Sequence, residues 1–404
     1  MTISISFRER IVLYALLTSL TSISIDALLP ALRSIEADVG VSPFLSTQHV
    51  ISLFIFGMAF GELLLGPLSD AVGRKKALVL GLGVYAVGTV IAMLAGSLEM
   101  VILGRFLQGA GVSGPKIATR AMIRGQFEGD AMARVMSFMF TLFILVPMLT
   151  PALAQTMIAT AGWRSIFVIY LLFAGLLGLW LVLRQPETLL PGRRIAFRPR
   201  QLFRNAQSIL TNRRVAMLIL ATGLVFGAQL LYLSTAADLF FDAYGITETF
   251  PLYFAILASG IGLASFLNAR LVQRFGMETM AHAGFLGLTL AGLAMLVATL
   301  IFDKPLPFAV LLTLTYAAFF AIGILFGNLN AMAMHPLGQA AGLATSLIAS
   351  VSSLVATIFA ITIGHFYDGT PLNLACGLFI AGTFSQLLAK LSARGSAVPV
   401  EAVR

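Results

Sequence analysis

Four charged side chains lie inside long apolar runs of this chain: Asp26, Glu62, Arg105 and Lys116. A charge at the centre of a bilayer costs at least ~2.5 kcal/mol on insertion scales, so such residues pair with one another or carry out a task. The chemistry open to them is reversible protonation. A carboxylate that moves between a fixed cation, which favours its charged form, and an apolar surrounding, which favours its neutral form, takes up and releases a proton. Counting 1.5 Å per helical residue puts Asp26 roughly 24 Å from the face bearing the amino terminus and Arg105 roughly 9 Å from the opposite face, one common depth. Glu62 and Lys116 share a second depth, nearer the amino-terminal face. Two stacked acid–base pairs are therefore expected, forming a ladder.

The elements that must position these groups are membrane-spanning helices. The 404 residues are 59% hydrophobic and 11% charged, with a mean hydropathy of +0.96, outside the range of soluble domains. Twelve apolar windows are long enough to cross the hydrocarbon core: 9–31, 46–69, 77–96, 100–122, 133–161, 163–183, 215–241, 250–271, 280–302, 307–334, 341–365 and 372–389. The first has the charged start of a secretory signal in Arg8 and Arg10, but it contains Asp26 and lacks a small-residue cleavage site, so a retained helix is expected. Cys376 is the only cysteine, which excludes an internal disulfide and every multi-cysteine metal motif. His49, His282, His335 and His365 are scattered without ligand spacing, so no metal is expected. No spacing supplies a convergent nucleophile either, which argues against an enzyme.

The net charge of +9 suggests nucleic acid until its distribution is read. Roughly twenty of the 26 Lys and Arg fall in loops on one side, the asymmetry of the positive-inside rule, which puts both termini in the cytoplasm. The loop from Arg184 to Arg214 holds Arg193, Arg194, Arg198, Arg200 and Arg204 against a single acid, Glu187. Anionic lipid headgroups suit it, and nucleic acid is not expected. This loop divides the chain into an amino-terminal bundle, 1–185, a basic linker, 186–212, and a carboxy-terminal bundle, 213–404. LSDAVGRKK after the second span aligns with LVQRFGMET, Leu271–Thr279, after the eighth, which reads as an internal duplication. Parallel six-helix halves of this kind are the plan of rocker-type secondary transporters, with substrate bound between halves near the midplane.

GPLSDAVGRKK, residues 66–76, is the polar island between the second and third spans. Gly66 allows close helix approach, Asp70 can accept hydrogen bonds at the bilayer edge, Gly73 permits a tight turn, and Arg74, Lys75 and Lys76 face headgroups. The segment resembles the signature between helices two and three of the major facilitator superfamily. SIDALLPAL, RFLQGAGVSGP, VPMLTPALAQ and NAMAMHPLGQAAGLATSL look like the bicyclomycin and chloramphenicol resistance (Bcr/CflA) subfamily of drug:proton antiporters within it. That resemblance implies an all-α, twelve-helix major facilitator fold in two pseudo-symmetric six-helix bundles. It makes Asp26, ahead of Pro30, the coupling acid, and Arg105, Gln108 and Gly109 a match to an R-x-x-Q-G motif. Gly66, Asp70, Gly73 and Arg74 become a cytoplasmic latch that breaks when the halves rock. Pro147 and Pro151 match the kinked antiporter helix, although Ala154 and Gln155 stand where a glycine pair is usual, and a bend is expected there.

The resulting expectation is a proton-driven antiporter of a bacterial inner membrane that exports amphipathic drugs. The alternative is a proton-linked exporter of a metabolite such as an amino acid or sugar. Proton work is assigned to Asp26, Arg105, Glu62 and Lys116. The substrate cavity is assigned to Asp26, Gln108, Met139, Phe143, Gln229, Tyr232 and Asn330, with Asp238, Asn268 and Asn328 as further polar candidates. No cofactor beyond the proton gradient is required, and a monomer is expected. Gly81, Gly83 and Gly88, within the third span, are read as helix-packing residues.

Overall fold

The computed structural model describes residues 5–40, 45–127, 129–190, 192, 194–195, 197–302, 306–335 and 341–394, and the regular structure among them is all helical. The helices are α1 (Phe7–Asp26), α2 (Leu32–Val39), α3 (Gln48–Val72), α4 (Arg74–Met93), α5 (Leu98–Gln126), α6 (Gly129–Ala161) and α7 (Arg164–Arg184). There follow α8 (Pro199–Thr211), α9 (Arg213–Asp238), α10 (Phe250–Phe275), α11 (Met277–Ile301), α12 (Phe308–Met334), α13 (Ala341–Gly364) and α14 (Leu372–Arg394). Among the described residues ten helical segments are long and apolar enough to span a membrane, α1 and α2 together forming one of them, Phe7–Val39. With α5 and α6 they make the twelve spans of the expected fold.

The first span differs from the expected single window: α1 stops at Asp26, a short 3₁₀ turn covers Leu29–Ala31, and α2 resumes at Leu32. The cause is Pro30. Without an N–H it cannot donate to the Asp26 carbonyl four residues back, and the turn tightens, with the Leu28 amide donating to Ile25 O at 3.3 Å and the Ala31 amide to Leu28 O at 2.9 Å. In α6, by contrast, helix continues through both Pro147 and Pro151.

By packing, the chain divides into two compact units, residues 1–197 with 232–259, and residues 198–231 with 260–404. The centre of the first is α5, held between α3 and α4 by glycines that let backbones touch. A Cβ on Gly109 of α5 would overlap the Phe54 carbonyl of α3. One on Gly88 of α4 would lie 2.6 Å from Gly104 O and Gln108 N of α5, and one on Gly81 2.6 Å from Gly111 O. Gly83, expected with them, has open space beside it instead. The second unit uses the same device on α11, where a Cβ on Gly382 of α14 would come within 2.7 Å of the Thr289 amide.

Candidate functional site

Asp26 is the last residue of α1 and is buried, 6% exposed, with no hydrogen-bond or ion-pair partner among the described residues. The break set by Pro30 places it at the point where the helix ends. The turn before it is held from two neighbouring helices. The Tyr170 hydroxyl of α7 donates to the carbonyls of Ile23 at 3.1 Å and Ser24 at 3.3 Å, and the Tyr85 hydroxyl of α4 lies 2.7 Å from Ser24 Oγ.

Arg105 of α5 is fully buried. It was expected to pair with Asp26, and the structure corrects this. Its Nε donates to Val50 O of α3 at 3.3 Å, its Nη1 donates to Gln108 Oε1 at 2.9 Å, and its guanidinium lies 4.1 Å from the centre of the Phe54 ring. Its Nη2 is buried with no hydrogen-bond partner among the described residues. The ladder of two acid–base pairs therefore has one rung made and one unmade. Gln108, expected on a cavity wall, is corrected too. It is fully buried between helices, accepting from Arg105 and donating through Nε2 to Thr89 Oγ1 of α4 at 2.7 Å, and the Thr89 hydroxyl donates to the Tyr85 carbonyl.

Glu62 of α3 and Lys116 of α5 are joined: Lys116 Nζ donates to Glu62 Oε1 at 2.6 Å, with the Glu62 side chain inaccessible and that of Lys116 17% exposed. The close approach of α3 and α5 brings them together. Gly61 beside Glu62 lies so near the Ala110 carbonyl that no side chain fits there. Lys116 Nζ also stands 3.5 Å from Met58 Sδ.

At the α3–α4 turn, Gly73 adopts φ +113°, a conformation that side-chain-bearing residues rarely take. The turn has a partner that sequence reasoning missed. Glu187, beyond the end of α7, accepts from the backbone amides of Arg74 at 3.0 Å and Lys75 at 3.2 Å, and from those of Thr188 at 2.8 Å and Leu189 at 3.0 Å. It supplies the acid that a helix beginning Arg-Lys-Lys lacks at its positive dipole end. A Cβ on Gly73 would overlap the Glu187 carboxylate. The Asp70 carbonyl accepts from the Ile195 amide at 3.0 Å. Lys75 Nζ donates to Val182 O of α7 at 2.8 Å. Gly66 is buried within α3, which continues through Pro67.

The remaining assigned residues divide between the units. In the first, Met139 is half-buried on α6, the Phe143 side chain lies outside the described residues, and Tyr232 is buried, its ring stacked 6.5 Å from that of Phe254. Asp238 accepts from Gln48 Nε2 at 3.2 Å. In the second, Gln229 is half-buried, Asn330 is exposed and donates to Phe326 O of its own helix at 2.9 Å, and Asn328 Nδ2 donates to Asn268 Oδ1 at 2.8 Å in a buried pair. No group of three or more metal-ligating side chains occurs among the described residues.

A buried acid at a broken first helix, an R-x-x-Q-G helix seated on its neighbours by glycines, and a glycine turn after the second span occur here in one twelve-span chain. A sequence model of the Major Facilitator Superfamily matches residues 14–361. The chain belongs to that superfamily. It is a multi-pass membrane transporter, not an enzyme. Among similar curated proteins are a bicyclomycin resistance protein homolog of Haemophilus influenzae, 29% identical over 85% of each chain, and the multidrug resistance protein MdtL of Klebsiella pneumoniae, 25% identical over 90% of each. The chloramphenicol resistance protein CraA of Acinetobacter baumannii is 27% identical over 83% of this chain and 79% of its own. Among solved structures, a peptide transporter, POT, in complex with sulfate matches with a TM-score of 0.74 at 12% identity, covering 96% of this chain and 94% of its own. The human organic anion transporter MFSD10 matches with a TM-score of 0.69 at 16% identity, covering 96% and 99%. These likenesses show the major facilitator fold, and the curated relatives agree with the drug-resistance motifs read in the sequence.

Proposed function

We propose that this transporter is a proton-driven antiporter that exports amphipathic drugs or related small molecules across a bacterial inner membrane by alternating access. The observation that carries the reading is Asp26, a carboxylate buried at a helix break with no cation on it among the described residues, while Arg105 Nη2 is buried in the same unit with no acceptor among them. Two complementary groups that are each unsatisfied are the halves of a bridge that a small movement of the first span makes or breaks. A proton entering down its gradient neutralises Asp26, its departure restores the charge, and each event changes the cost of the two arrangements. Relatives named for resistance to bicyclomycin, to chloramphenicol and to multiple drugs support drugs as the cargo class.

In this reading the bundles 1–185 and 213–404 rock about the cargo, both termini and the basic linker 186–212 lie in the cytoplasm against anionic headgroups, and one chain is the working unit. Glu62 and Lys116 act as a fixed strut. The test is purified protein in liposomes with an imposed pH gradient, offered chloramphenicol, a lipophilic-cation panel, and amino acid and sugar panels. Uphill drug movement coupled to proton flux is expected. Coupled movement of an amino acid or sugar alone assigns a metabolite exporter, and movement that ignores the pH gradient overturns proton coupling.

A further inference from the structure

The carbonyls of the last turn of α1 have to be accounted for one by one, because a buried carbonyl without a donor is costly. Ile23 O receives the Ala27 amide at 3.1 Å. Ser24 O would receive the Leu28 amide in a regular helix, but that amide has turned to Ile25 O, and Asp26 O faces Pro30, which has no N–H. The helix thus opens at the acid. What replaces the missing donor at Ser24 is the hydroxyl of Tyr170, shared between Ile23 O and Ser24 O. A second phenol reaches the same residue. Ser24 Oγ donates its one proton to Leu20 O at 2.6 Å, so in its 2.7 Å contact with Tyr85 the phenol is the donor. Both rings are buried, and their centres are 6.4 Å apart.

We propose, resting on the reading of Asp26 as the coupling acid, that Tyr170 and Tyr85 are positioning residues for it: their hydroxyls hold the opened turn at Ser24 and so fix where the Asp26 carboxylate stands. Successive helical residues turn by about 100°, so Asp26 projects about 200° away from Ser24, and the phenols hold Ser24, Tyr170 by its carbonyl and Tyr85 by its hydroxyl, without touching the carboxylate. Among the described residues, the titratable groups bonded to this turn are Tyr85 of α4 and Tyr170 of α7, both in electrostatic reach of Arg105 of α5, and Tyr170 also in reach of Asp26. The described side chains of α6 carry no charge. Neither tyrosine belongs to a motif read in the sequence. Their role is visible only once α4 and α7 are seen converging on one residue.

The experiment follows the protonated-carboxyl infrared band that Asp26→Asn removes, titrated over roughly pH 4 to 10 in the full-length protein in liposomes. Tyr170→Phe and Tyr85→Phe keep the rings and delete only the hydroxyls. Each is expected to move the band's midpoint by about half a pH unit or more, with Tyr170→Phe the larger, since it withdraws a donor from backbone carbonyls. Ser24→Ala removes the acceptor of Tyr85 without altering either tyrosine. It is expected to reproduce Tyr85→Phe, and the two combined to exceed neither, and this variant carries the test if a tyrosine variant fails to insert. Midpoints equal to that of the native protein in all three variants overturn the positioning role. If Asp26→Asn removes no titrating band, the coupling reading itself falls, and that result is distinct from the first.

Discussion

Glu62 sits 2.6 Å from Lys116, whereas Asp26, also buried and packed in the same unit, has no cation upon it among the described residues, and Arg105 spends its donors on Val50, Gln108 and the Phe54 face. In sequence the two sets look alike, each an acid and a base at matching depth in apolar helices. In space they differ in kind. A buried bridge that is made offsets the desolvation of both charges and resists any change in either. An acid and a base that are buried apart leave the protonation of the acid open to the next movement of the helices. The difference teaches that the charge worth watching in such a bundle is the one without a partner.

The comparison is broken most directly at Asp26. Asp26→Asn is expected to reduce pH-gradient-driven export to the passive background while the protein still folds and inserts; uphill transport at the native rate by this variant in liposomes would remove the acid from coupling.

The bridge is tested through stability. Glu62→Gln or Lys116→Met alone strands a buried charge and is expected to cost about 3–5 kcal/mol, whereas the two together recover more than half of that. Denaturant unfolding in detergent reads the cycle. A double variant that is stable and exports would identify a strut, and a stable double variant that does not export would give Glu62 and Lys116 a share in proton movement and erase the contrast with Asp26.

Arg105→Lys sharpens the other side. An ammonium cannot reach Val50 O and Gln108 Oε1 together with the flat seat on Phe54, so the export rate is expected to fall about tenfold. Native rates in initial-velocity export assays would show that a point charge is enough.

The smallest effect belongs to a third acid, Glu187, whose charge is answered by four backbone amides and, among the described residues, by no ion pair. Glu187→Gln is expected to lower stability by about 1 kcal/mol, as loss of a helix cap does, and to leave the pH dependence of export unchanged. Gly73→Val should lose at least as much, because its side chain meets that carboxylate and its φ is left-handed. A shifted pH profile in Glu187→Gln would draw this acid into coupling after all.

Composition and motif order determined a great deal by themselves. Hydrocarbon excludes water from the backbone, so apolar windows of this length can only be helices, and the number of spans, the basic linker and the superfamily follow from one-dimensional patterns. Gly81, Gly83 and Gly88 read as packing residues, but the sequence did not say which helices would meet, and Gly83 has open space beside it. The depth of a charge is also a one-dimensional quantity, and it put Glu62 level with Lys116 and Asp26 level with Arg105. Whether two side chains at one level touch depends on the rotation of each helix about its axis, a property of packing alone. Tertiary structure therefore decided that one pair is bonded and the other is not, that Gln108 is a strut inside the helix packing, and that Glu187 caps α4. It also brought Tyr85 and Tyr170, 85 residues apart in the chain, onto Ser24: Tyr170 gives its carbonyl the donor that a helix opened at Pro30 no longer supplies, and Tyr85 holds its hydroxyl.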